Sequence, residues 1–166
     1  GTDKLSRSYI PDIKYLKRNE VHGFGDNNNY GLKHVEGRYV LFLNNDVKFL
    51  DDNTLNEMVD WMDKNPKVGA STCSLLNSDE KTLQGSGGSF PNLINVFAWM
   101  TFLDDIPFLN KLIKSMHPMH SISPFGSDQK YYMHEHQQDW ITGAFYLVRK
   151  EILDKIGGFD KDFDAY

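Results

Sequence analysis

Arg38-Tyr39-Val40-Leu41-Phe42-Leu43-Asn44-Asn45-Asp46 decides how the rest of the chain is read. Tyr39 to Leu43 is an unbroken apolar run of aromatic, β-branched and leucine side chains. That is the composition of a strand covered on both faces, as in a parallel sheet. The run stops in two amides and a carboxylate. In open α/β sheets a ligand sits just outside the carboxyl ends of the strands. Asp46 therefore stands where such a sheet presents chemistry, and a hard oxygen ligand there suits a divalent cation. The same three residues also suit a plain turn, because Asn and Asp favour turns.

Upstream of this strand, Lys4 to Tyr9 reads as the end of a helix broken by Pro11, and Ile13 to Lys17 as a short strand. Gly23 and Gly25 permit a tight turn, and Asp26 or Asn27 caps the helix that follows, which ends through Leu32 and Val35 at Gly37. A helix N-terminus after a glycine turn is a ready phosphate site; the neighbouring asparagines also fit capping and turn chemistry alone. Gly23-Phe24-Gly25 opens like a dinucleotide fingerprint but lacks the third glycine at the required spacing, which disfavours an NAD-type oxidoreductase.

Downstream, Thr54-Leu55-Asn56-Glu57 has the form of a capping box. Leu55, Met58, Val59 and Met62 recur at helical spacing as one buried face, and Asn65-Pro66 stops the helix. Val68 to Leu76 reads as the next strand, Asn77 to Glu80 as a turn, and Gln84 to Ser89 as a flexible loop. Within residues 92–116, Val96, Trp99, Met100 and Leu103, then Phe108, Leu109, Leu112, Ile113 and Met116, fall at helical spacing on either side of Asp104-Asp105 and Pro107. They predict two short amphipathic helices packed on the sheet. Peripheral membrane contact is the alternative, because Lys111 and Lys114 flank apolar residues. His117, His120, His134 and His136 lie in a polar stretch with Pro118, Pro124 and Gly126. His134-Glu135-His136 lacks the spacing of the helical two-histidine zinc motif and reads as loop. Asp139 to Lys150 carries a strand whose start, Gly143-Ala144, has no bulk and admits a ligand or another backbone. Glu151 to Ile156 is a short helix closed by Gly157-Gly158, followed by an acidic-aromatic loop from Phe159 to Asp164. Strand and helix alternate as in an α/β fold.

The chain of 166 residues suffices for one domain with its own core. Hydrophobic residues at 40% and charged residues at 25% are the balance of a globular one. A net charge of −5 provides no basic footprint for nucleic acid. Cys73 is the single cysteine, so no internal disulfide forms, which fits a reducing compartment. No apolar run reaches the length of a membrane span, and no signal peptide opens the chain. The absence of a starting Met and the unclosed end at Tyr166 point to a fragment.

In this order the pieces resemble the inverting family-two glycosyltransferases of the GT-A fold, most of all their rhamnosyltransferase-like bacterial branch. Three blocks, within residues 11–166, carry the resemblance. Gly23-Phe24-Gly25 with Asn28-Asn29-Tyr30-Gly31 resembles the family's glycine and asparagine block. Gly37 to Asp46 resembles its strand ending in a metal-binding D-x-D variant. Asp139-Trp140-Ile141-Thr142-Gly143-Ala144 through Arg149, then Gly157-Gly158-Phe159-Asp160, resembles its acceptor-side block. Two departures stand out: the metal motif begins with Asn44 rather than Asp, and Val21 stands where an Asn is usual.

The resemblance implies an α/β domain of GT-A type, with a Rossmann-like, mostly parallel sheet flanked by helices. Residues 1–166 would be a single catalytic domain, partial at both ends. The family's first strand would precede residue 1, and the acidic pair that supplies the catalytic base would lie just past Tyr166. The implied reaction moves a sugar, with inversion, from a nucleotide-sugar donor to a hydroxyl of a glycan or lipid-linked acceptor in polysaccharide or cell-envelope biosynthesis. Mg²⁺ or Mn²⁺ would sit on Asp46. The donor would lie on Gly23, Gly25, Asn28, Asn29, Asn44, Asn45, Asp46 and Gly143, and the acceptor beside Trp140, Thr142 and Ala144. Asp160, Asp162 and Asp164 are the carboxylates nearest the expected place of the base, and none is assigned that role. The expected location is the cytoplasm, at the inner face of the membrane if residues 92–116 touch lipid. With both ends missing, the chain as given is expected not to turn over. A sugar-nucleotide-binding or interaction module without turnover is the alternative reading.

Overall fold

The computed structural model describes residues 2–119, 123–125, 130–160 and 162. In chain order its elements begin with α1 (Thr2–Tyr9), α2 (Phe24–Leu32), β1 (Tyr39–Leu43), α3 (Thr54–Lys64), β2 (Ala70–Ser71), β3 (Leu75–Leu76) and β4 (Leu83–Gln84). They continue with β5 (Gly87–Gly88), α4 (Leu93–Met100), β6 (Trp140–Ile141), β7 (Phe145–Arg149) and α5 (Lys150–Ile156). Contacts group these into two compact units, one of residues 1–38 with 150–166 and one of residues 39–149.

In the second unit, β1 forms over the apolar run that predicted it. The sheet order is β1-β7-β2, and both ladders are antiparallel. The α/β class holds, but the expectation of parallel neighbours is corrected: β1 and β2 run the same way without touching, because β7 lies between them. An unbroken apolar run reports that both faces are covered and says nothing of the partner's direction. One face carries Phe145 and Leu147, which pack with Met62 of α3 and Leu75 into the core; Tyr39, Leu41, Phe49 and Trp61 close around them. The other face carries Val40 and Val148, with Phe42 stacked on Tyr146 at 5.9 Å.

Arg149 locks this arrangement. Its guanidinium donates to the carbonyls of Met62 (2.6 Å) and Asn65 (3.1 Å) at the end of α3, to Val68 O (2.8 Å), and to the Tyr39 hydroxyl (2.9 Å). A cation at the carbonyl end of a helix also complements the helix dipole. α3 starts one residue earlier than its capping-box reading, which makes Thr54 the cap and Leu55 the first helical residue. Thr54 is its first residue and Asn53 the cap, because the Asp51 carboxylate holds the Asn53 amide at 2.7 Å and sets a turn ahead of the helix. Leu55, expected inside, is exposed.

Three further expectations are corrected. The strand read over Val68 to Leu76 breaks into β2 and β3: the Ser74 hydroxyl donates to Tyr132 O at 2.9 Å, and β3 pairs in its own hairpin with β4. The loop read over Gln84 to Ser89 contains β5, antiparallel to β6. The second helix expected in residues 92–116 is replaced by 3₁₀ turns at Leu103–Asp105 and Leu109–Lys111. The histidine stretch is loop with one 3₁₀ turn, as expected, although His120 and Gly126 lie outside the described residues.

In the first unit, Ile13 to Lys17 forms no strand. α2 begins at Phe24 with Gly23 as its extended cap, so Asp26 and Asn27 lie inside the helix rather than capping it. Gly157 and Gly158 end α5 with φ of 85° and 90°, which side chains rarely adopt.

Candidate active site

The β1–β7 register builds the site in the second unit. Leu43 faces Phe145, and one step on the Asn44 amide donates to Ala144 O at 3.0 Å. Asn44-Asn45-Asp46 and Thr142-Gly143-Ala144 thus meet at one end of the sheet. Val47 N donates to Asn44 O at 3.4 Å, turning the chain there, and all three polar residues are exposed. Among the described residues no side chain engages the Asp46 carboxylate. Thr142 is tied by its amide to Ser86 O (2.9 Å), and its hydroxyl accepts from Ala144 N (3.3 Å). Gly143 is an exposed bend, and the strand read from Gly143-Ala144 opens only at Phe145.

Trp140 is fixed from two sides. Its indole N–H donates to Ser89 O at 3.1 Å, and the His117 ring meets it edge-on at 4.9 Å. It borders a cavity of about 1170 Å³ that opens along β2 and is also lined by Trp61, Ser71, Tyr132, His136 and Gln138. Ser71 Oγ and Gln138 Oε1 are buried with no hydrogen-bond partner among the described residues. Burial pushes the Tyr132 phenol up to about 12, and the Cys73 thiol on the same wall is also raised by burial. A raised thiol there is a packing group rather than a nucleophile.

In the first unit, the block around α2 is more engaged than its sequence shows. The Asp26 carboxylate pairs with Arg18 at 2.7 Å and with His22 at 2.8 Å, and Arg18 also lies over the Tyr30 ring. Asn28 Nδ2 donates back to Phe24 O at 2.9 Å. Both amide atoms of Asn29 are held by Phe159: Nδ2 donates to its carbonyl and Oδ1 accepts from its N–H, each at 2.8 Å. The sequence reading gave no role to Arg18 and named Arg149 only as the end of a motif block; the signal available was an arginine beside each block. Asp162 N donates to Asp160 Oδ1 at 3.0 Å, and Asp164 lies outside the described residues.

The family model for glycosyl transferase family 2 matches residues 1–157. The chain belongs to glycosyl transferase family 2. Its helices, sheets and strand-end polar cluster fit the GT-A domain expected of that family. It is similar to the O-antigen biosynthesis protein RfbC of Myxococcus xanthus, with 34% identity over 83% of this chain and 9% of that protein. It is also similar to the rhamnosyltransferase WbbL of Escherichia coli, with 28% identity over 88% of this chain and 51% of that protein. The chain therefore spans about half of the one relative and a small part of the other. No solved structure matches it significantly. Among the described residues, no helix is long and apolar enough to cross a membrane.

Enzymes of this family commonly use a divalent metal. Among the described residues no three His, Cys, Asp or Glu side chains stand together to hold one. The exposed Asp46 carboxylate fits one oxygen ligand of a hard cation whose other oxygens come from phosphate and water.

Proposed function

We propose that the protein transfers a sugar from a nucleoside-diphosphate sugar to a hydroxyl of a glycan or lipid-linked acceptor, with inversion, and that residues 1–166 are part of one catalytic domain. The observation that carries this reading is the β1–β7 register. With the Asn44–Ala144 hydrogen bond it sets the segment that carries Asp46 and the Gly143 bend at the same end of the sheet, in a chain of this family.

Asp46 would hold Mg²⁺ or Mn²⁺, which neutralises charge developing on the departing diphosphate. The exposed amides of Asn44 and Asn45 add neutral donors, and Gly143 leaves room for the sugar. Gly23, Gly25 and Asn28 are the donor-binding residues proposed from the first unit. Asn29 acts there by positioning, since its amide holds Phe159. On the acceptor side, Trp140 offers an aromatic wall beside Thr142 and Ala144, and Ser71 Oγ and Gln138 Oε1 are polar atoms without partners among the described residues. That mixture suits a hydroxyl-rich glycan. The acceptor oxygen attacks the anomeric carbon opposite the diphosphate, the bond to the diphosphate breaks, and the hydroxyl proton passes to a carboxylate base. The proposed location is the cytoplasm at the inner membrane face, where residues 92–116 would meet lipid.

Titration calorimetry of the full-length protein with a panel of nucleoside diphosphates tests this reading. Binding should require Mg²⁺ or Mn²⁺, and Asp46→Ala should weaken it by about tenfold or more, the loss of one charge-assisted contact. Equal binding by the variant would overturn the assignment of Asp46. Metal-dependent binding without release of nucleoside diphosphate from any sugar nucleotide would favour the binding module without turnover.

A further inference from the structure

α4 is apolar almost all round and leaves one apolar side outside: Val96 and Trp99 are half-buried. Leu93, Ile94, Phe97 and Met100 recur at i, i+1, i+4 and i+7 and so share one face of the helix. That face points outward, with exposures between 61% and 91%. The side turned inward carries Asn95 and Ala98, at 2% and 1%. Local polar chemistry sets this orientation. Asn92 caps the amides of Ile94 and Asn95, while the Asn95 side chain accepts from the Asn92 amide and donates to Phe90 O at 2.8 Å. Phe108 and Leu112, on either side of the 3₁₀ turn Leu109–Lys111 in the same segment, are also exposed.

Charge decides what this surface meets. Over residues 90–119 the exposed charged side chains are Lys111 and Lys114, which bracket Leu112. Of the acids in the segment, Asp104 is buried and accepts from the Ser115 hydroxyl at 2.6 Å, and Asp105 is half-buried. From outside the segment the Asp139 carboxylate reaches it, accepting from the Phe90 amide at 3.0 Å. Exposed cationic charge in the same segment as the apolar row, in a chain whose net charge is −5, is complementary to an anionic surface. An outward apolar helix face flanked by lysines whose stems can reach headgroups is the pattern of interfacial binding.

We propose that the outer face of α4, with Phe108, Leu112, Lys111 and Lys114, docks on an anionic lipid surface. The apolar side chains enter the headgroup boundary and the two lysines pair with lipid phosphates. This rests on the membrane-face location proposed above and deepens it by naming the docking face and the charge of the lipid; it needs neither donor nor acceptor.

Flotation with vesicles tests it. The probes are vesicles of phosphatidylcholine alone and of phosphatidylcholine mixed with phosphatidylglycerol. The chain should float with the mixed vesicles and weakly with the neutral ones. Ile94→Gln with Phe97→Gln keeps good helix formers at exposed positions and should weaken flotation by at least about tenfold, less than the full loss of two apolar side chains. Lys111→Gln with Lys114→Gln should cut binding to the anionic vesicles by about fivefold per lysine and leave the neutral ones unchanged. Circular dichroism establishes that each variant keeps its fold. Absence of flotation by the parent chain, or equal flotation by the Ile94/Phe97 variant, overturns the proposal. So does a dimer in sedimentation that this variant dissociates without any vesicle binding, which would assign the face to a second copy. None of these outcomes bears on nucleotide binding, so the transferase reading stands or falls separately.

Discussion

Asn29 holds both backbone groups of Phe159 at once, and Gly158 between α5 and Phe159 lies so close that a Cβ there would strike the Asn29 side chain. Asn29→Ala should therefore lower stability by about 1–3 kcal/mol, since it orphans a part-buried donor and acceptor. Asn28→Ala, which loses one exposed bond within its own helix, should change it by less than about 0.5 kcal/mol. Urea midpoints of the two variants make the comparison. Unchanged stability of Asn29→Ala together with lost nucleotide binding would show that Asn29 acts on the donor directly. Tyr132 yields a pH prediction. Its buried phenol donates to Gly87 O and titrates at about 12 in the folded chain, pushed up mainly by burial. In the unfolded chain a phenol titrates near about 10. The folded state thus holds this proton more tightly; the stability it contributes is complete below the unfolded value and is lost as pH rises through the folded one. Tyr39, Tyr131 and Tyr146 are raised in the same direction, so the parent's melting temperature alone does not isolate Tyr132. The difference in melting temperature between the parent and Tyr132→Phe does, and it should shrink as pH is raised from below 10 towards 12. A difference independent of pH would remove Tyr132 as its source. Neither feature could be read from sequence, because each joins residues far apart in the chain.

At the scale of elements, β5 shows how a glycine run misleads. Gln84 to Ser89 has the composition of a mobile loop, yet Gly87 and Gly88 are buried and paired with Ile141 and Trp140. A Cβ on Gly88 would collide with the Met116 carbonyl, so the strand is glycine because another backbone crosses it. Gly88→Ala should cost about 1–3 kcal/mol, the range for overpacking against groups that cannot yield. Gly31→Ala, inside α2 with nothing within 4 Å of the added carbon, should instead raise stability by about 0.5–1 kcal/mol. Thermal melts of the two variants should move in opposite directions; a gain by both would mean that Met116 shifts aside, and a loss by both would overturn the Gly31 prediction. The helices were more legible. α3 declared its length through apolar spacing and its stop through Asn65-Pro66, because both signals are local. Its start was misplaced by one residue, since Asp51, outside the capping motif, sets the turn. In α4 the periodicity announced a helix and part of its facing: Val96, Trp99 and Leu103 are half-buried, while Met100 is exposed. Spacing marks which side is apolar, while the Asn92–Asn95 cap and the groups around it decide which side turns inward.

Across the whole molecule, the sequence by itself determined the α/β class and family, the strand Tyr39–Leu43, and a polar cluster at that strand's end. Each rests on neighbours in the chain: apolar runs, helical spacing, turn residues and the order of motif blocks. Tertiary structure alone decided three things. It set the antiparallel sense of β7 against β1, which puts Ala144 beside Asn44. It split Val68 to Leu76 between two sheets, since Ser74 and Tyr132 meet only in the folded chain. It gave Arg149 its hold on α3, β1 and the approach to β2, although a guanidinium at the end of an apolar strand reads in sequence as a solvated charge. The division has one physical cause. A residue's propensity and its near neighbours act along the chain and leave a pattern there, whereas strand direction, close backbone approach and the partner of a long polar side chain depend on which distant segment arrives.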